Sequence, residues 1–348
     1  MMTETTLIRD EVLERFDEFS DGITEAPFGR VLSAASLFDF LDQLRADKFP
    51  LDWIERFHHR LDDISQTGSK IDENYNTGLT NLDDWKTSAS KEDFAVRTGF
   101  VYSELWKDFS AEEYFENTRK LLEERFRNNN ISVAGVKNAL DDGCGAGRYT
   151  VALRKLGIAK VTGIDVSLEA IELAKQRNPY PENEVSFQSG SVLELPFEDN
   201  RFDFVFSNGV LHHTESTERG LEEIYRVTKL GGRIWLYLYG GKKSFFWDTV
   251  DICRKLLEGI SQAYTQTVMK VMGYTPGRIM HRCDFFYVPV HRRYFASEVE
   301  TMLREAGFTS FSRLERGAGI DWDEMKYQYP HLDPYIYGEG EMRYLITK

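Results

Sequence analysis

The sequence predicts an α/β fold built on a doubly wound parallel sheet, and three observations carry that prediction. Short apolar runs of strand character alternate with amphipathic helical stretches from about residue 136 to residue 239. A glycine turn, Gly143-Cys144-Gly145-Ala146-Gly147, joins the first such strand to the first such helix. An acid, Asp165, ends the second strand, 24 positions after Asp141.

Each element follows from its own residues. Val136 to Leu140 read as a buried strand, and Tyr149, Ala152, Leu153 and Leu156 then repeat at helical spacing. Lys160 to Asp165 is the second strand. Ser167 caps a helix whose Leu168, Ile171 and Ala174 face inward, and Asn178-Pro179 ends it. Val185 to Ser189 is the third strand. After the Asp199-Asn200 turn, Phe202 to Ser207 is the fourth; Leu221, Ile224, Tyr225 and Thr228 line a helix that Gly231-Gly232 is expected to stop. Arg233 to Leu238 is the fifth strand.

An insertion from Gly240 to Phe295 follows. Phe246, Val250, Cys253 and Leu257 mark one helix face, Tyr264, Val268 and Met272 a second, and Pro276-Gly277 a turn. Ser297-Glu298-Val299-Glu300 reads as a capping box, and Gly307 closes its helix. Phe308 to Leu314 and Met342 to Thr347 are the last two strands, with a long loop, Gly317 to Gly340, between them.

Ahead of the sheet, residues 7–64 carry three apolar helix stripes: Ile8, Val12, Phe16 and Phe19; Leu37, Phe40, Leu41 and Leu44; Ile54, Phe57, Leu61 and Ile64. They must be covered by the main domain or by a second copy of the chain, and a symmetric homodimer is the expectation. Ser65 to Lys91 reads as a polar surface linker, and a helix runs from about Ala111 to Phe126. The domains expected are a helical N-terminal region with its linker, 1–90, and a domain of residues 91–348 with a lid insertion over 240–295.

Composition excludes several roles. With 43 Lys+Arg against 57 Asp+Glu the net charge is −14, which repels nucleic acid and anionic lipid at long range. Cys144, Cys253 and Cys283 are too few and too scattered for a disulfide framework or a CxxC zinc site, which fits a reducing, cytoplasmic setting. No basic-then-apolar leader and no uncharged run of about 18 residues is present, so neither a signal peptide nor a membrane span is expected.

The glycine turn points to a nucleoside-bearing ligand, because it presents N–H groups at a helix N-terminus. A dinucleotide fingerprint places its third glycine five positions after the first, whereas Gly147 follows Gly143 by four. With Asp141 ahead of the turn, the stretch instead resembles the first motif of the class I S-adenosylmethionine-dependent methyltransferases. The resemblance covers residues 136–239 and, less sharply, 292–348. It implies a Rossmann-like seven-stranded sheet with an antiparallel last strand, and transfer of a methyl group from S-adenosylmethionine to a small molecule, as in the quinone-pathway C-methyltransferases.

That resemblance also implies roles by position. Asp141, Gly143, Gly145 and Gly147 would hold the methionine end of the cofactor, Asp165 the ribose, Ser191 and Val192 the adenine, with Asn208 at the tip of the fourth strand. Two positions depart from the family: Ser191 replaces the usual acid, and Asp142 stands where an apolar residue is usual, a carboxylate costly to bury unpaired. His212 and His213 follow the fourth strand and are the candidate bases. Arg292 and Arg293 are candidates to clamp an acceptor carboxylate, with Tyr294, Tyr102 and Trp106 as aromatic cover. No metal is required, although His213 with His281 or His291 is a conceivable set. The rival reading is a non-catalytic module that binds the same cofactor for regulation or scaffolding.

Overall fold

The computed structural model describes residues 4–23, 26–75, 111–321, 323–324 and 334–348. They form two compact units. One gathers the described N-terminal residues with 243–287 and 334–338, and the other gathers 111–242, the described part of 288–324, and 339–348.

In the second unit, α4 (Ala111–Asn128) leads to β1 (Asn138–Asp142), α5 (Arg148–Lys155), β2 (Lys160–Asp165), α6 (Leu168–Arg177), β3 (Val185–Ser189), β4 (Phe202–Asn208), α7 (Thr217–Val227) and β5 (Thr228–Leu238). The unit closes with α11 (Ala296–Glu305), β6 (Ser310–Arg313) and β7 (Met342–Thr347). The strands form a seven-stranded sheet in the order β3-β2-β1-β4-β5-β7-β6, parallel except for β7, which runs antiparallel to both neighbours. This is the expected doubly wound α/β sheet.

Both faces are covered, which is why the central strands read as continuous apolar runs. Leu140, Val205, Ile234 and Leu236 pack toward Leu221 and Ile224 of α7 and Val299 and Leu303 of α11. Ala139, Phe204, Phe206 and Trp235 pack on the other face, toward Leu122 and Phe126 of α4 and Ala152 and Leu153 of α5. Ser167 and Ser216 cap α6 and α7 by accepting from the N–H groups of Ala170 and Arg219.

In the first unit, α1 (Glu4–Asp21), α2 (Pro27–Ala46) and α3 (Trp53–Tyr75) share one core with α8 (Phe245–Leu256), α9 (Gln262–Val271) and α10 (Pro276–Tyr287), and a short α12 (Pro334–Tyr337) joins them. Phe245 is its hub, with Trp53 at 4.9 Å, Phe57 at 5.5 Å, Tyr335 at 6.2 Å and Phe16 at 6.4 Å between ring centroids. Arg9 donates twice to Asp248, which also accepts from the Tyr335 hydroxyl.

Several expectations need correction. Residues 243–287 belong with the N-terminal helices, so the division expected after residue 90 gives way to a discontinuous one. The apolar stripes of α1 to α3 are covered within this chain, with α8 as their shared partner: Val12, Phe16, Leu37, Phe57 and Leu61 are all fully buried. Residues 65–75 continue α3 instead of opening a linker. Pro276 starts a helix, its fixed φ suiting the first turn. The helix before Gly231-Gly232 ends earlier, at Val227, and those glycines lie inside β5 where its register against β4 shifts. The cap of α11 is Phe295, whose N–H donates to the Glu298 carboxylate at 2.7 Å, not Ser297.

Phe245→Ala should therefore destabilise the chain by about 3–5 kcal/mol in chemical denaturation while leaving the mass in light scattering unchanged. A variant that changes its oligomeric mass would return these stripes to an interface between copies.

Candidate functional site

The turn after β1 is shaped by what lies behind it. Gly143, Gly145 and Gly147 have φ of 78°, 53° and 85°, all in the left-handed region. A Cβ on Gly143 would stand 2.4 Å from the Val210 side chain, and one on Gly147 2.7 Å from the Phe187 ring. The turn is thus pressed against the loop after β4 on one side and β3 on the other.

Two carboxylates bracket it. Asp141 is buried and accepts from the Thr150 hydroxyl at 2.6 Å. Burial pushes its pKa up to about 7 against the opposing hydrogen bond from Thr150, with the nearby charge of Asp165 raising it further. Asp165 accepts from the N–H groups of Gly145 at 2.8 Å and Ser167 at 2.9 Å. Burial raises its pKa, and those N–H groups oppose the rise.

Asp142 solves its burial differently. It is fully buried and neither oxygen has a hydrogen-bond partner among the described residues; the Ser207 hydroxyl, opposite it in the β1–β4 register, has none either. Burial pushes its pKa up to about 8, with the charges of Asp141 and Asp165 adding to the rise and the nearby Ser207 hydroxyl opposing it, which favours the neutral acid.

The other expected cofactor positions are more open. Ser191 is exposed and its hydroxyl accepts from the Leu193 N–H, while Val192 is buried beside Leu195 and Ile164. Asn208 is half-buried, and its side-chain oxygen accepts from the Trp235 indole at 2.9 Å.

A single 3-10 turn, Leu211–His213, follows β4. His212 is fully buried and stacks on Tyr239 with centroids 3.8 Å apart. Its Nδ1 accepts from the Tyr239 N–H at 3.2 Å, and burial holds its pKa well below the usual range, aided by His213 and His291. A ring held neutral in this way is a poor general base at neutral pH. His213 pairs its Nδ1 with the Val290 carbonyl at 2.6 Å.

The structure brings the arginine pair to this turn but gives Arg292 a structural partner. Its N–H donates to the His212 carbonyl, and its guanidinium donates to the carbonyls of Thr214 and Glu215. Arg293 lies beside His291, and the Tyr294 hydroxyl is hydrogen-bonded to Thr217 at 2.8 Å. Tyr102 and Trp106 lie outside the described residues. His281 is in the other unit, between the rings of Phe38 and Phe285, with its pKa pushed down to about 4 by burial. Among the described residues, no three His, Cys, Asp or Glu side chains gather as a metal site, and no helix is long and apolar enough to cross a membrane. Sequence reasoning missed Thr150 and Tyr239. Tyr239 was within reach, since it directly follows a strand at the edge where ligands bind in such sheets.

Comparison with known proteins places the sheet in a family. A family model described as "Methyltransferase domain" matches residues 140–236. A demethylmenaquinone methyltransferase of Lactiplantibacillus plantarum is 30% identical over 197 residues, 54% of this chain and 78% of that relative. One of Staphylococcus aureus is 41% identical over 172 residues, 49% of this chain and 67% of that relative. Among solved structures, a SAM-dependent methyltransferase from Archaeoglobus fulgidus is similar at 17% identity and a TM-score of 0.42, covering 68% of this chain and 97% of that one.

An acid whose folded pKa is raised from 3.8 to about 8 keeps a proton that the unfolded chain has released. Its stabilising share is therefore complete below about pH 4 and is lost as pH rises through about 8, by at most about 1.4 kcal/mol per pH unit. Asp142→Leu should flatten the fall in stability between pH 5 and pH 8 in denaturant titrations, and an unchanged slope would show that Asp142 is ionised in the fold.

Proposed function

Because this chain belongs to the S-adenosylmethionine-dependent methyltransferases built on the Methyltransferase domain, we propose that its acceptor is a hydroxylated aromatic or enolic small molecule. The family makes the chain an enzyme that uses S-adenosylmethionine and methylates a small molecule. The acceptor's chemistry and the roles of individual residues are the finer reading.

The residues at the carboxyl edge of β1, β2 and β4 fit the cofactor. Its sulfonium and ammonium are cationic, and Asp141 and Asp165 are two carboxyl groups at neighbouring strand ends around the glycine turn. This pair is the observation that supports the cofactor assignment. A carboxylate offers about four lone-pair positions, and Asp165 uses part of them on the N–H groups of Gly145 and Ser167, with Val166 close by, which leaves capacity for ribose hydroxyls. Asp141 with Gly143, Gly145 and Gly147 would hold the methionine end, Ser191 and Val192 the adenine, and Asn208 the tip of β4. When bound, the cofactor supplies an activated methyl group. What remains for the chain is to align the acceptor, exclude water and take up a proton.

Two lines support the acceptor class. Relatives that share half of this chain are named for demethylmenaquinone, a quinone. Behind the turn after β4 lie uncharged, stacked rings, His212 and Tyr239, both buried, an apolar backing that suits a flat neutral molecule. A carboxylate-bearing acceptor is the second reading, and it rests on Arg293, because the Arg292 guanidinium is engaged by Thr214 and Glu215.

Asp165→Ala should weaken S-adenosylmethionine binding at least about ten-fold in calorimetry, or about 1.4 kcal/mol. Unchanged affinity would remove the ribose assignment. For the acceptor, labelled cofactor should be turned over with a reduced, short-chain demethylmenaquinone and more slowly with a carboxylated naphthol. Arg292→Ala should lower the melting temperature and impair binding of both ligands together. If it raises only the KM of the carboxylated compound, Arg292 is the clamp and the second reading prevails. Tight cofactor binding without turnover of any acceptor would favour a regulatory module.

A further inference from the structure

We propose that Glu223 and Arg226 of α7, with Arg219 beside them, are positioning residues for the adenine of the cofactor: they hold the segment after β3 in the shape that lets Ser191 and Val192 tell this base from others. This rests on the adenine assignment given above and adds the part of the chain that enforces it.

The segment has little to hold it from within. Residues 190–201 link β3 to β4 with neither helix nor strand, and β3 is the edge of the sheet, paired to β2 alone. Among the described residues, the segment's own backbone groups make only turn bonds, from the Glu194 N–H to the Ser191 carbonyl at 3.3 Å and from the Phe197 N–H to the Leu195 carbonyl at 2.8 Å. Leu195 and Phe197 are buried, so the backbone beside them needs further partners.

Helix α7 supplies those partners from its side chains. The Glu223 carboxylate accepts from the Leu195 N–H at 2.8 Å. Arg226 donates to the carbonyls of Leu195 at 2.8 Å and Phe197 at 2.6 Å, and Arg219 donates to that of Leu193 at 3.1 Å. Both guanidiniums also donate to Glu223, Arg226 at 2.7 Å and 3.1 Å and Arg219 at 3.0 Å, so the three side chains act as one clamp. Burial alone would raise the pKa of Glu223, but the hydrogen bonds from Arg226 and the Leu195 N–H hold it below its ordinary value, which keeps the clamp charged. Planar forks on one buried carboxylate leave the loop little play.

The constraint runs along the chain to the adenine position. Leu193, whose carbonyl Arg219 holds, donates its N–H to the Ser191 hydroxyl at 3.1 Å. A hydroxyl has one proton and two lone pairs, so this bond leaves the proton and one lone pair for a ligand and limits where they point. Ser191 is exposed, within reach of a bound base, and Val192 is buried with Leu195 in the apolar layer below it. A serine carries no charge, and its selectivity depends on direction: a hydroxyl free to swing satisfies a donor or an acceptor equally well, whereas a held one does not. Adenine presents an amino group beside a ring-nitrogen lone pair, and hypoxanthine presents the reverse, a carbonyl beside an N–H. The clamp is what turns Ser191 from a tolerant contact into a selective one.

Calorimetry of the full chain with S-adenosylhomocysteine and with S-inosylhomocysteine, its hypoxanthine counterpart, tests the clamp without any methyl acceptor. The wild-type chain should prefer the adenine compound by about ten-fold. Arg226→Met should weaken binding of the adenine compound by about ten-fold and keep that of the hypoxanthine compound within about three-fold, so that the preference disappears. Glu223→Gln keeps an acceptor for the Leu195 N–H and leaves Arg226 on its carbonyls, and it should retain the preference. The pair variant Glu223→Gln with Arg226→Met strands no buried charge and should match Arg226→Met, so a folding failure of the single variant decides nothing. Equal weakening of both compounds, or an unchanged preference in the folded variants, means that the clamp serves the fold alone and overturns the proposal. Hydrogen exchange separates this outcome from failure of the reading beneath it. S-adenosylhomocysteine should slow exchange in residues 190–197 of the wild-type chain; if it does not, the adenine lies elsewhere and the assignment of Ser191 and Val192 fails. If exchange slows equally in wild type and Arg226→Met, the assignment stands and the clamp does not act on it.

Discussion

One carboxylate ties together the carboxyl edge of β1 and β2, where the cofactor is proposed to bind. Asp165 ends β2, and its two oxygens reach back to Gly145 in the turn after β1 and forward to Ser167, which caps α6. Two loops from different strands are thereby tied to a third point. The turn itself has little freedom, because Val210 and Phe187 occupy the space that side chains at Gly143 and Gly147 would need. A ligand that binds there meets N–H groups and carboxyls already in place, so little ordering remains to oppose binding.

The same unit handles buried charge in two ways. Asp141 and Asp142 lie under the sheet edge and are pushed toward neutrality by burial. Elsewhere in the unit, Arg125 and Asp321 form two parallel hydrogen bonds of 2.8 Å, and Arg343 joins Asp321, Asp323 and Glu341 while covering the Tyr237 ring. Burial would drive the Asp321 pKa up, but the hydrogen bond and charge of Arg125, with Arg343, hold it at about 2. The paired cluster joins α4, the segment after β6 and β7, and removing one partner would leave a buried charge behind. Asp141 and Asp142 form no ion pair among the described residues, and Asp141 is held instead by the Thr150 hydroxyl.

The sheet was legible because its signals are local. Strand composition, the Ser167 cap and the left-handed glycines each act within a few residues, and the strands from Lys160 to Ser189 fall where their sequence puts them. The helix assignments failed where long-range packing decides. Residues 65–75 are polar enough to read as a linker, yet they continue a helix whose earlier turns are anchored by Phe57 and Leu61. The histidines were legible as candidates from their position after β4. Their states were not, since these depend on Tyr239 and Val290, backbone groups 27 and 77 residues away. The Arg292 partners were hidden for the same reason: carbonyls leave no mark in a sequence.

The discontinuous first unit has a consequence for the order of events during synthesis. Its helices α1 to α3 leave the ribosome first, but Phe245, the ring they pack around, comes about 180 residues after Leu61 and Ile64. At roughly 5–20 residues per second, that is a delay of roughly 10–35 seconds. Over that interval Phe16 and Phe57 can pack on each other, 5.0 Å between centroids, but lack the Phe245 side of their native cover, while the intervening strands β1 to β5 emerge. The five parallel strands of the second unit are therefore made before the first unit has its central ring, although β6 and β7 follow only at the end, and the early helices are a natural client for a chaperone that binds apolar helical faces.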